Sequence, residues 1–282
     1  MTNTLPAPDR PAVRRIGIVG TGAMGGPLAR RLRAQGFDVA AFARRPEACA
    51  ALNSDGIATV ESLGALGTDR DAVIIYVYTD DQVRQLALDD GLIEAMDRGS
   101  TLIIKTTGSP ATASDLAAHG AAHGVAVVDA PASGSPQQIT DGTLSVFCGG
   151  ERTDVERIQP VFQAYAAQVS HIGPVGAGQM IKLINNLLFG AHVELAVEAC
   201  RLAATAGIDP LDFARTLKHC SGQSYALDIV ALMGSVERLV DGAGPYIAKD
   251  VAMARRVAEQ IGMPIGSFDA ILTPLQHRLA ER

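Results

Sequence analysis

Aromatic residues make up only 4% of this 282-residue chain, and no stretch interleaves them with lysine or arginine. The net charge is -6, with no block of like charge. The chain therefore offers neither the basic stripe that neutralises phosphates nor the polybasic segment that settles on an anionic bilayer. Nucleic acid and membrane are excluded as expected partners, and a small molecule takes their place. Cysteine is scarce: Cys49, Cys148, Cys200 and Cys220 are scattered without a CxxC pair. That spacing marks no redox or zinc site, so the four read as small, reduced hydrophobes. The first fifteen residues hold Pro6, Pro8, Pro11, Asp9 and three arginines, but no apolar core of a signal peptide. No later run is expected to approach membrane-spanning length. A cytoplasmic protein with a frayed N-terminal tail is the expectation.

Apolar residues are abundant, at 48%, and the length suggests two domains. From Arg15 onward short apolar runs alternate with helical stretches. Strands are expected at Ile16 to Val19, Val39 to Ala43, Val73 to Tyr78, Leu102 to Ile104, Val125 to Val128 and Leu144 to Phe147. Helices are expected at Met24 to Gln35, Asp80 to Leu88 and Ala111 to Ala122, with Gly36, Gly91 and Gly124 at their ends. Strict alternation with runs apolar throughout predicts a doubly wound α/β sheet of the Rossmann type. After Gly173-Pro174 the pattern becomes helical, with one long helix over Gly176 to Ala206 and no strand signal beyond it. The boundary is placed at Ile172, giving a nucleotide domain over 1–172 and an all-α domain over 173–282.

The first strand runs into Gly20-Thr-Gly-Ala-Met-Gly25, and a helical pattern follows. In that context Gly20 permits a tight turn and Gly22 lets backbone N–H groups reach a pyrophosphate. Gly25 lets the helix pack on the strand, while Ala23 and Met24 complete the loop. No carboxylate stands between Val39 and Pro46, where one normally accepts a hydrogen bond from the ribose of NAD; Arg44 and Arg45 stand there instead. Two guanidinium groups suit a 2'-phosphate, so NADP(H) is expected in preference to NAD(H), with Arg44 the better placed.

Lys182 and Asn186 lie one helical turn apart on a mostly apolar segment, and Gly178 precedes them on the same stripe. A buried ammonium is costly without a task, and the stripe reads as built to face a ligand. Adjacent Asn185 points about 100° away and reads as a structural hydrogen-bonder. His119 and His123 have the spacing of a metal pair, but the sequence supplies no third ligand nearby, and no metal is expected. Asp129 ends a strand and reads as capping the loop after it.

With these motifs the chain resembles the β-hydroxyacid dehydrogenase family. Four segments carry the resemblance: Gly17 to Ala29, Asp129 to Leu144 with Gly149-Gly150, Gly176 to Asn186, and Lys249-Asp250 with Ala252 and Ala254. The resemblance implies that Lys182 is the catalytic lysine and that Asn186 holds the substrate. It implies that Ser133 and Gly134, with Ser135 in the same loop, bind the substrate's carboxylate. Thr107 would lie near the nicotinamide, and Lys249 would reach the cofactor. It also implies a homodimer or homotetramer assembled through the helical domain. Ser135 and Gln138 depart from the pattern, standing where the family commonly has glycine.

The implied reaction is hydride transfer between nicotinamide and a small β-hydroxy acid or its semialdehyde, with Lys182 exchanging the proton. Two other readings stay open at this stage. One is an imine reductase of the same architecture, against which Lys182 speaks. The other is a dinucleotide-binding sensor whose altered loop has closed the substrate site.

Overall fold

The computed structural model describes residues 13–280; the N-terminal tail read as frayed lies outside the described residues. The chain divides into two compact units, 1–179 and 180–282.

In the first unit, β1 (Arg15–Val19), β2 (Asp38–Phe42), β3 (Ala58–Val60), β4 (Ala72–Ile75), β5 (Thr101–Ile104) and β6 (Ala126–Asp129) form a parallel sheet in the order β3-β2-β1-β4-β5-β6. β1 pairs with β2 on one side and β4 on the other, so the winding reverses at β1. That is the switch point where an open α/β sheet leaves a crevice at its strand ends. Side chains alternate across the sheet. Ile16, Ile18, Ile74 and Ile103 meet Leu28 and Leu32 of the helix Gly25–Ala34, and Phe162 of the helix Arg152–Gln163. Val73, Ile75, Leu102 and Ile104 face the other way, onto Val83, Leu92 and Leu116. Helices cover both faces, which is why the strands read as unbroken apolar runs.

The expected strict alternation fails after β6. There the chain forms β7 (Ala132–Ser133) and β8 (Leu144–Gly149), which pair antiparallel, and β9 (Ala166–Gly173) then runs parallel to β8. β3, β7 and β9 are additions to the expected set. The first two are only three and two residues long, and β9 exposes Ala167, Gln168 and Ile172, so none presents an apolar run. The strand expected over Val73 to Tyr78 stops at Ile75, and beyond it the Val77 N–H donates to Thr106 Oγ1 at 2.9 Å.

The helix Ala177–Thr205 carries the chain into the second unit, which continues with helices Pro210–Leu217, Tyr225–Met233, Val236–Gln260 and Ser267–Ala280. The expectation that no run reaches membrane-spanning length is corrected here. Ala177–Thr205 is long and apolar enough to span, yet half of its most apolar window is buried inside the protein. Leu183, Leu187, Val193 and Ala196 pack with Val230, Val251 and Leu272, the behaviour of a core helix.

Candidate active site

The glycine loop follows β1 as the sequence requires, and each glycine has its own reason. Gly20 has φ +93°, and a Cβ there would collide with the Tyr76 carbonyl oxygen. A Cβ at Gly25 would strike the Gly20 oxygen, so the helix can start only against a bare residue. Around Gly22 no atom lies within 4 Å of the place a Cβ would take, and a ligand can approach the backbone there. Met24, the residue before the first helical turn, makes no side-chain cap, which leaves that helix end to a ligand anion. A cavity of about 360 Å³ opens beside the loop, lined by Gly20, Gly22, Arg44, Arg45, Val77 and Gln82 among others. Arg45 pairs with Glu47 at 3.7 Å, whereas Arg44 makes no ion pair among the described residues. These features fit a dinucleotide phosphate chain, with Arg44 the guanidinium at liberty.

Thr107 sits between two fastened neighbours. Thr106 Oγ1 bonds both the N–H and the carbonyl of Val77, and Gly108 N–H donates to Gln179 Oε1 at 2.9 Å. Gln179 Nε2 in turn donates to the Thr106 carbonyl at 2.8 Å. The Thr107 hydroxyl makes no hydrogen bond among the described residues. Gln179, buried in this role, was not singled out from the sequence.

Asp129 does cap, but a different element from the one expected. Its carboxylate accepts the N–H groups of Gly176 and Gln179, both at 2.7 Å, and so closes the start of Ala177–Thr205. Burial pushes this carboxyl up to about 6, against the pull of those N–H donors downward. Gly178 belongs to the same packing. A Cβ there would lie 2.5 Å from the Phe147 carbonyl oxygen and 2.8 Å from Asp129 Oδ2. Its bareness serves the protein's own backbone, which corrects the reading of Gly178 as part of a ligand-facing stripe.

In the loop after β6, Ser133 is half-buried and Gly134 is exposed with φ +137°. Ser135 caps the helix Pro136–Asp141. Its N–H donates to Gln138 Oε1 at 3.0 Å, and its hydroxyl accepts from Gln138 N–H at 3.3 Å. The two residues that replace family glycines thus form one reciprocal capping box. His171 is likewise occupied, its Nε2 meeting the Gly150 carbonyl at 2.8 Å.

The second unit gathers Lys182, Asn186, Lys249 and one residue whose role the sequence did not reveal, Asp250. Asn186 is buried; its Nδ2 donates to Asp250 Oδ2 and its Oδ1 accepts from Asn185 at 3.0 Å. Lys249 Nζ lies 2.9 Å from Asp250 Oδ1. Half-buried Lys182 is lowered to about 8, mostly by desolvation, with Asp250 pulling upward and Lys249 downward. Packing explains how this cluster closes. A Cβ on Gly190, one turn beyond Asn186, would come 2.8 Å from Leu272 Cδ2 and 3.2 Å from Ile247 Cγ2. The bare residue leaves room for the ends of two side chains, Leu272 of Ser267–Ala280 and Ile247 of the helix carrying Asp250, to pack against the helix carrying Asn186.

Comparison with known proteins bears on the family and the fold. Residues 15–173 match the family described as the NAD binding domain of 6-phosphogluconate dehydrogenase. Residues 176–277 match the family described as NAD-binding of NADP-dependent 3-hydroxyisobutyrate dehydrogenase. The chain is 31% identical to the 3-hydroxyisobutyrate dehydrogenase of Pseudomonas aeruginosa, covering 90% of this chain and 89% of that protein. A solved 3-hydroxyisobutyrate dehydrogenase from Salmonella typhimurium is 31% identical with a TM-score of 0.82, covering 95% of both chains. An imine reductase from Pseudomonas sp., 18% identical with a TM-score of 0.65 over 95% of this chain and 94% of the other, shares the fold.

Proposed function

The chain belongs to the β-hydroxyacid dehydrogenase family of NAD(P)-dependent oxidoreductases, and on that premise we propose that it moves a hydride between NADP(H) and a small β-hydroxy acid or its semialdehyde. The observation that carries this reading is Lys182, an amine lowered to about 8 in company with Asn186 and Asp250. Bound nicotinamide supplies or accepts the hydride. In the reducing direction the Lys182 ammonium gives its proton to the carbonyl oxygen and steadies the charge forming there. In the oxidising direction the neutral amine takes the hydroxyl proton. A pKa near neutrality populates both forms.

Asn186, fixed by Asp250 and Asn185, positions the reacting oxygen. Ser133 and Gly134 receive the substrate's carboxylate, since Ser135 is committed to its cap. Thr107 offers an unengaged hydroxyl towards the nicotinamide, Lys249 the family's contact to the cofactor, and Arg44 a grip on the 2'-phosphate. Leu188, Leu195 and Leu202 stand seven residues apart on one helix and are 46%, 52% and 60% exposed, a spacing that supports assembly of copies into a homodimer or homotetramer.

The test is NADPH oxidation with succinic or tartronic semialdehyde, followed at the nicotinamide absorbance. Lys182→Met should reduce turnover by roughly 10²-fold or more while the fold persists. Arg44→Ala should weaken NADPH by about tenfold and leave NADH nearly unchanged. Full turnover by the lysine variant, or tighter binding of NADH than of NADPH by the parent protein, would overturn the respective assignment.

A further inference from the structure

His119 and His123 lie at i and i+4 on the helix Pro110–His123, and the fold brings Glu94, from the short helix Leu92–Ala95, against them. One ligand atom from each of the three lies within 4.8 Å of the others. The rings stack at 4.7 Å between centroids. His119 Nε2 meets Glu94 Oε1 at 2.6 Å, and His123 Nδ1 lies 3.0 Å from the His119 carbonyl oxygen. A carbonyl can only accept, so His123 carries its proton on Nδ1, and Nε2 keeps its lone pair. This is the outer-shell bond that metal-ligating histidines usually make.

We propose that Glu94, His119 and His123 form a site for a divalent transition-metal ion of the zinc type. The donor set decides the class. Two imidazoles and one carboxylate suit zinc and its neighbours, whereas magnesium and calcium select oxygen-only sets. The geometry needs little change. Bonds of about 2.0–2.2 Å in a tetrahedron set ligand atoms about 3.4 Å apart, so the Glu94–His119 contact opens by under about 1 Å and the widest pair closes by at most about 1.4 Å. Side-chain rotations of exposed and half-exposed residues supply both. Remaining positions face solvent, so water completes the shell. The ion would staple the Leu92–Ala95 turn to the end of the Pro110–His123 helix.

The experiment is calorimetric titration of zinc chloride into the chelator-stripped full chain at neutral pH, with thermal unfolding in parallel. The expected result is one strong equivalent per chain, with a dissociation constant on the order of micromolar, and a Tm raised by zinc. His119→Asn with His123→Asn should weaken that equivalent at least tenfold and abolish the Tm shift. Glu94→Gln, which keeps the shape, should weaken it by about tenfold. None of the three belongs to the dinucleotide loop or the Lys182 cluster, so unaltered circular dichroism and NADPH affinity verify intact folding of each variant. Binding weaker than about 100 µM in the parent protein would overturn the proposal. So would a double variant within tenfold of the parent, since other histidines or cysteines would then be the ligands.

Discussion

Replacing Asp250 by asparagine removes one negative charge and almost no volume. The amide oxygen of the new side chain can still accept from Asn186, so the geometry of the cluster should survive. The charge balance on Lys182 does not. Burial holds the Lys182 amine at about 8, Asp250 opposes that depression, and Lys249 adds to it. With Asp250 neutral, the charge that opposes the depression is gone while that of Lys249 stays, so the amine must titrate lower. An opposite charge close by moves a pKa by roughly 1–3 units. Solvent reaching half-buried Lys182 and Lys249 puts the effect at the low end, about 1 unit or ~1.4 kcal/mol. The protonated fraction at pH 7 then drops from about nine-tenths to about half. In aldehyde reduction, where the ammonium is the active form, the alkaline limb of the kcat profile should move from about pH 8 towards about pH 7. In alcohol oxidation the acid limb should move the same way, making the variant faster than the parent at pH 7. Profiles in both directions, with NMR titration of isotopically methylated lysine as a check free of turnover, measure this. A limb that stays put or moves to higher pH would refute the electrostatic account of the cluster.

Two further changes test the start of the long helix. Asp129→Asn puts an NH2 group opposite one of the two backbone N–H donors from Gly176 and Gln179, and should cost about 1–3 kcal/mol in denaturant unfolding. In the parent protein, Asp129 is raised to about 6. The folded state therefore binds the extra proton between the unfolded value near 3.8 and 6, and its contribution to stability falls as pH rises through that window. A variant that keeps the same slope there would exclude Asp129 as its source. Gly178→Ala should destabilise by about 1–3 kcal/mol, because its methyl meets the Phe147 carbonyl oxygen; a neutral result would restore the ligand-facing reading of that position.

The nucleotide half was legible because its signals are local. Gly20, Gly22 and Gly25 each answer a constraint within a strand–turn–helix unit, and β1, β2, β4 and β5 are buried on both faces, so period and composition agree. β3 and β7 escaped notice because strands of three and two residues are too short to show an apolar run, and β9 because its eight residues include exposed Ala167, Gln168 and Ile172. Lys182 and Asn186 were readable from their spacing on one helix. Asp250 was visible only as part of a motif: besides its neighbour Lys249, the groups it acts on, Asn186 and Lys182, lie 64 and 68 residues away in sequence, and that meeting depends on how two helices cross. Glu94 was invisible for the same reason: nothing in the sequence near it points to histidines on another helix. Gln179 and Asp129 lie within recognised motifs, but their work is backbone anchoring, which the sequence pattern cannot separate from ligand contact.

The notch at Gly190 has an implication for reading natural variation. A single added methyl there must push aside the ends of Leu272 and Ile247, so the packing beneath Asn186 and Asp250 is disturbed from a position outside the polar cluster itself. Loss of activity mapped to such a residue reports on architecture, and a search for damaging changes confined to polar side chains will overlook it.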